Sequence, residues 1–80
     1  MHEYPITQRI IEIASRHCKD AGAGKVTRIA LVAGDYCGVS PESFDMYFSL
    51  ISEGTPCEGA AVEFGRDGTK QFYIKEIEVE

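Results

Sequence analysis

Eighty residues with a formal net charge of −5 make one small domain, which buries only about 60% of its unfolded surface and is correspondingly marginal. Its eight basic residues are scattered among thirteen acidic ones, so no dense positive face exists to neutralise phosphates, and nucleic-acid binding is not expected. The longest apolar stretch, Ile29–Ala33, is far too short to span a bilayer, and no signal-peptide succession is visible, so no membrane association and a cytoplasmic address are expected.

From Pro5 to about Asp20 the apolar residues Ile6, Ile10, Ile13 and Ala14 recur at three and four, with Ile11 widening the stripe. That spacing predicts a helix. Pro5 suits its first turn, where a missing N–H costs nothing, and Ala21-Gly22-Ala23-Gly24 ends it. The run "KVTRIALVAG" is rich in β-branched residues and apolar on both faces, which predicts a covered, central strand.

Ser40-Pro41-Glu42 is a strong helix start: a hydroxyl cap, a proline at the first helical position and an acid at the positive pole of the dipole. Phe44, Tyr47, Phe48 and Ile51 form the apolar stripe of this second helix, Met46 and Leu50 are expected to broaden it, and Gly54 stops it. Aromatic residues at this spacing read as core. "AAVEF" follows as a short strand.

In "QFYIKEIEVE" the apolar residues Phe72 and Ile74 are even-numbered, while Ile77 and Val79 are odd. A strand has period two, so the phase break at Lys75-Glu76 predicts a bulge or a departure from the packing surface. Asp67-Gly68 within "GRDGTKQ" is a tight-turn signal and predicts a hairpin between the last two strands. The expected order is α-β-α-β-β. It gives a mixed α+β fold with a small three-stranded mixed sheet, both helices on one face and the other face partly uncovered.

Cys18, Cys37 and Cys57 are odd in number and contain no C-x-x-C pair, which argues against a disulfide framework and a thiolate zinc site. Cys37 precedes a helix start, where thiols become acidic. It has no identifiable base, so enzymatic activity is not expected.

The opening "MHEYPIT" carries the metal chemistry. A bulky residue follows the initiator, so the terminal amine is expected on Met1. That amine and the His2 amide close a five-membered ring on one ion, and the same amide with His2 Nδ1 closes a six-membered one. Glu3, by its amide or carboxylate, another side chain or water completes the set. Such nitrogen-rich planar sets favour Ni(II) or Cu(II) over Zn(II). His17, near the end of the first helix, reads as a surface or capping residue that faces away from Cys18.

Several stretches together resemble the HypA family, the nickel-incorporation proteins of [NiFe]-hydrogenase maturation. They are "MHE", the run "KVTRIALVAGDYCGVSPESFDMYFSLISEGTPCEGAAVEF", and the closing "IKEIEVE". The resemblance implies a cytoplasmic nickel metallochaperone without enzymatic activity, with Ni(II) held at Met1, His2 and Glu3. It also implies two partners, a nickel-handling GTPase and the hydrogenase large subunit. The family carries a zinc-binding insertion with two cysteine pairs before the closing strand. Here only "GRDGTKQ" stands in that place, so residues 1–80 are expected to form a single nickel-binding domain, with a hairpin turn near 65–71 in place of the zinc domain and no zinc. The alternative is a metal-independent interaction or dimerisation module that kept only the scaffold, its homodimer formed by exchange of an end strand.

Overall fold

Every residue from Ile29 to Gly34 is buried, and the sheet accounts for it. The computed structural model describes residues 3–80. Its elements are α1 (Glu3–Asp20), β1 (Val26–Gly34), α2 (Pro41–Ile51), β2 (Ala61–Asp67) and β3 (Phe72–Val79), the α-β-α-β-β order expected from the sequence. β1 is the central strand of a three-stranded sheet, with β2 parallel on one side and β3 antiparallel on the other. A strand with neighbours on both edges and helices over one face has little surface left, so its near-continuous apolar run is what burial demands.

The hairpin expected between β2 and β3 does not form, because β1 lies between them. The Asp67-Gly68 turn signal is real, but it launches an arch. Residues 68–71 cross the C-terminal end of β1, where the Gly34 N–H donates to the Gln71 carbonyl (2.8 Å) and the Tyr36 N–H to the Thr69 carbonyl (3.0 Å). Asp67 Oδ1 accepts from the Thr69 N–H (3.0 Å) and from the Thr69 hydroxyl (2.6 Å), which fixes the bend. A hairpin would have paired β2 with β3 at the expense of one edge of β1, the most apolar strand. The arch lies so close to β1 that a Cβ on Gly34 would come 2.3 Å from the Thr69 carbonyl oxygen.

The phase break in β3 is a bulge. Ala30 faces Glu76 and Leu31 faces Ile74, leaving Lys75 without a partner in the register. The extra residue turns Phe72, Ile74, Ile77 and Val79 to one side, where all four pack on the core. A second irregularity, between Val26 and Arg28 on β1, skips Thr27 and puts Val26 and Ile29 on the same face. The apolar pattern of β1, too continuous to show a phase, gave no sign of it.

One cluster forms the core: Ile10, Ile11, Ala14 and Cys18 from α1, Phe44 and Phe48 from α2, and Val26, Ile29 and Leu31 from β1. Phe44 is fully buried. Its ring meets those of Phe48 at 6.0 Å, Phe64 at 5.5 Å and Phe72 at 5.9 Å, and so joins α2 to both outer strands. Three apolar positions depart from expectation. Ile13 is exposed while Ile11 takes the inward place on α1, and Met46 and Leu50 point to solvent. With Phe44 facing the sheet, a residue two positions on lies about 200° around the helix, so Met46 cannot share its face.

The sheet face away from the helices is organised by Arg28. Its guanidinium donates to Glu63 on β2 (2.7 Å) and to Glu76 (2.6 Å) and Glu78 (2.8 Å) on β3. One central cation therefore ties both outer strands to β1.

Candidate metal centre

Of the three proposed ligand residues, Met1 and His2 lie outside the described residues. Glu3 is the first residue of α1. The helix therefore begins two positions before Pro5, which sits within its first turn, where a proline deprives the ladder of no hydrogen bond. Glu3 thus belongs to the helix.

Contacts among the described residues hold this end of α1. The buried Thr7 hydroxyl donates to the Glu3 carbonyl, and Glu3 Oε2 accepts from the Ser40 N–H at 3.3 Å. Ser40 is the N-cap of α2: its Oγ accepts from the Ser43 N–H at 3.3 Å, with Pro41 following and Glu42 in the first turn. The cap that the sequence announced is in place, and it also receives the Glu3 carboxylate. Tyr4 meets Tyr47 edge-on, with ring centres 5.5 Å apart. The two helices therefore start side by side, beyond the C-terminal end of β1.

This placement bears on the donor set. In a helix that begins at Glu3, the amides at this end stand outside the ladder of bonds to carbonyls four residues back. A metal that replaces their protons leaves α1 intact. Amine, imidazole and amide nitrogens suit Ni(II) by their donor chemistry. Among the described residues, no group of three or more His, Cys, Asp or Glu is arranged to hold a metal ion.

The other candidates are separated. His17 is exposed in the last turn of α1 while Cys18 is buried, so they point apart as their adjacency on a helix requires. Cys57 is buried, with its Sγ 3.8 Å from the Ile11 carbonyl and 3.6 Å from the Ser15 hydroxyl. Burial pushes its thiol pKa up, the reverse of what a nucleophile needs. Cys37 is half-buried, and its Sγ accepts from the Val39 N–H at 3.4 Å.

The sequence reading missed the role of Arg28, counted there among scattered basic residues. The signal was a lone arginine opening an apolar strand, with glutamates at alternating places in the last one. Its three carboxylate partners, Glu78 foremost, hold its pKa above the ordinary arginine value, and Arg28 in turn draws the Glu78 carboxyl below the usual range. Among the described residues, no helix is long and apolar enough to cross a membrane.

A family model described as hydrogenase/urease nickel incorporation, metallochaperone, hypA matches residues 1–72. The hydrogenase maturation factor HypA of Dehalococcoides mccartyi (strain ATCC BAA-2266 / KCTC 15142 / 195) is 39% identical over 66 residues, covering 82% of this chain and 56% of that protein. That of Geobacter sp. (strain M21) is 43% identical over 63 residues, covering 79% and 54%. The chain therefore spans about half the length of the curated relatives it matches. The solution structure of the Ni metallochaperone HypA from Helicobacter pylori superposes with a TM-score of 0.77 at 19% identity, over 95% of this chain and 72% of that one. A second solution structure, of HypA protein, superposes with a TM-score of 0.71 at 17% identity and covers the whole of this chain, β3 included. At these identities the likeness is one of fold.

Proposed function

Because the chain belongs to the HypA family of hydrogenase/urease nickel-incorporation metallochaperones, we propose that it binds Ni(II) at its amino terminus and hands it on during maturation of [NiFe]-hydrogenase. The proposed donors are the Met1 amine, the His2 imidazole and amide, and Glu3. Nickel is cargo here, and the chain is not an enzyme. What supports this reading is the family's Met-His-Glu opening in the sequence, together with Glu3 as the first residue of α1 and its tie to the cap of α2. Met1 and His2 immediately precede, in the sequence, a firmly anchored helix.

Residues 1–80 are proposed to act as a single nickel-binding domain. We assign no zinc to it, since the arch at 68–71 contains neither cysteine nor histidine. The proposed setting is the cytoplasm, with a nickel-handling GTPase and a hydrogenase large subunit as partners.

Nickel titration of a chain with its authentic N-terminus, followed by absorbance and intact mass, tests the reading. The expected result is about one Ni(II) per chain with the yellow colour of a low-spin planar complex. His2→Ala, or one residue added ahead of Met1, should abolish it. Unchanged nickel affinity in both variants would place the site elsewhere, and a wild-type chain that takes up no nickel would leave the metal-independent interaction module as the better reading.

A further inference from the structure

α2 turns two rows of side chains outward. Met46 and Leu50, one helical turn apart, are 55% and 66% exposed. Beside them run Glu42, Asp45 and Ser49, with Glu53 in the turn that follows the helix, all exposed. At about 100° per residue, Met46 and Leu50 fall on the flank next to Tyr47. The ring of Tyr47 touches that of Tyr4, itself 44% exposed, so the apolar row runs on to the first turn of α1.

The charge around this row has one sign. Six acidic residues and no Lys, Arg or His stand between Arg28 and Arg66. Among the described residues, Glu42, Asp45 and Glu53 take part in none of the ion pairs, whereas Glu63, Glu76 and Glu78 are matched by Arg28 and Asp35 by Arg66. The acids bordering the row are therefore open to a cation from outside.

We propose that this outer row of α2 is a docking ridge for a protein partner that presents an amphipathic helix whose apolar stripe is bordered by Lys and Arg. The apolar stripe covers Met46 and Leu50, and the basic border meets Asp45 and Glu53, which sets register and hastens encounter. A second copy is a poorer fit, because the ridge carries no basic residue to meet the acids of its own twin, and a contact between unlike surfaces does not close into a dimer. An anionic membrane is repelled by the acidic row. The ridge needs no metal, so it stands or falls apart from the nickel reading.

The test is an amide NMR titration of the full chain with a synthetic Leu/Lys amphipathic peptide, about five turns long so that it holds a helix. A twin peptide with Glu in place of Lys is the control. Shifts should gather on residues 42–53 and Tyr4. Met46→Ser with Leu50→Ser should raise Kd about tenfold or more, and a thermal melt unchanged by these exposed substitutions keeps that loss interpretable. Asp45→Lys with Glu53→Lys should transfer the preference to the Glu-bordered twin. Shifts spread over the Glu63, Glu76 and Glu78 face, equal binding of the twin to the wild type, or an unchanged Kd in the serine variant would each overturn the proposal. So would anionic vesicles that shift the same amides, or sedimentation showing that the ridge is buried between two copies.

Discussion

The Glu3 carboxylate accepts a hydrogen bond from the Ser40 N–H at 3.3 Å, so the first residue of α1 is fastened to the cap of α2. One serine thus serves two helices, with its backbone facing α1 and its hydroxyl facing α2. Ser40→Ala removes only the hydroxyl. It should destabilise the fold by about 1 kcal/mol, as the loss of an N-cap does elsewhere. Ser40→Gly should cost a few tenths. Urea unfolding of both variants checks the ranking, and because each keeps the N–H that holds Glu3, neither should alter nickel uptake.

Gly34→Ala tests the arch. The added methyl would meet the carbonyl oxygen, the carbonyl carbon and the hydroxyl oxygen of Thr69 at 2.3, 2.7 and 2.8 Å. Backbone atoms cannot rotate away as a side chain can, so 68–71 must lift from β1 and strain the bonds made by Gly34 and Tyr36. A loss of about 2–3 kcal/mol is expected, at the upper end of overpacking effects. In a domain of this size that lowers Tm by on the order of 10 °C or more. Calorimetry measures it directly.

Phe44 is the side chain whose removal should do most damage. Its ring contacts aromatic residues from α2, β2 and β3, so truncation leaves a cavity between both layers. Phe44→Ala should cost about 3–5 kcal/mol. A domain of this length has little more than that in total, and circular dichroism at 37 °C should show a largely unfolded chain. Phe44→Leu fills part of the space and should fold with a lower urea midpoint.

The Arg28 cluster predicts a pH dependence. The carboxyl of Glu78 titrates below its unfolded value because Arg28 donates to it. A depressed folded pKa means stability that is present above the unfolded pKa of about 4.3 and is lost as pH falls through the lower folded value. Arg28 stays charged throughout this window and adds no dependence of its own. In Arg28→Gln, Glu78 loses the cation that draws its carboxyl below the usual range, so the variant should be weakest near neutrality. Its deficit should narrow as the Glu78 carboxyl protonates below about pH 4. Urea midpoints measured across this range for both chains check it, and a deficit that does not change with pH would count against the ion cluster as its cause.

Where the residues state a local preference, the sequence was a good guide. Ser40-Pro41-Glu42 marked the start of α2 and the apolar run marked β1 as central. The parity change in β3 marked the Lys75 bulge. Choices between partners were harder to read. Asp67-Gly68 makes the same tight turn whether the chain then folds back on β2 or crosses the end of β1, and only the demand of β1 for a second neighbour decides. Likewise nothing local says which of Ile11 and Ile13 faces inward, because both lie at the margins of the stripe and the tilt of the helix chooses. The bond between Glu3 and Ser40 joins residues 37 positions apart, beyond the reach of any motif, although each end of it was singled out.

That same bond separates the two ways in which Glu3 could serve nickel. If its amide is the donor, the side chain acts by anchoring α1. Glu3→Gln keeps an oxygen that accepts from the Ser40 N–H, so nickel stoichiometry and the visible spectrum should stay as in the wild type. Glu3→Ala keeps the amide but lacks the anchor. It should bind nickel with the same spectrum and weaker affinity, and Ile6 and Thr7 should exchange their amide protons faster. If instead the carboxylate is a ligand, Glu3→Gln and Glu3→Ala should both change the spectrum, because each removes an anionic oxygen from the set. Absorbance titration of the two variants beside the wild type, all with authentic N-termini, decides between them.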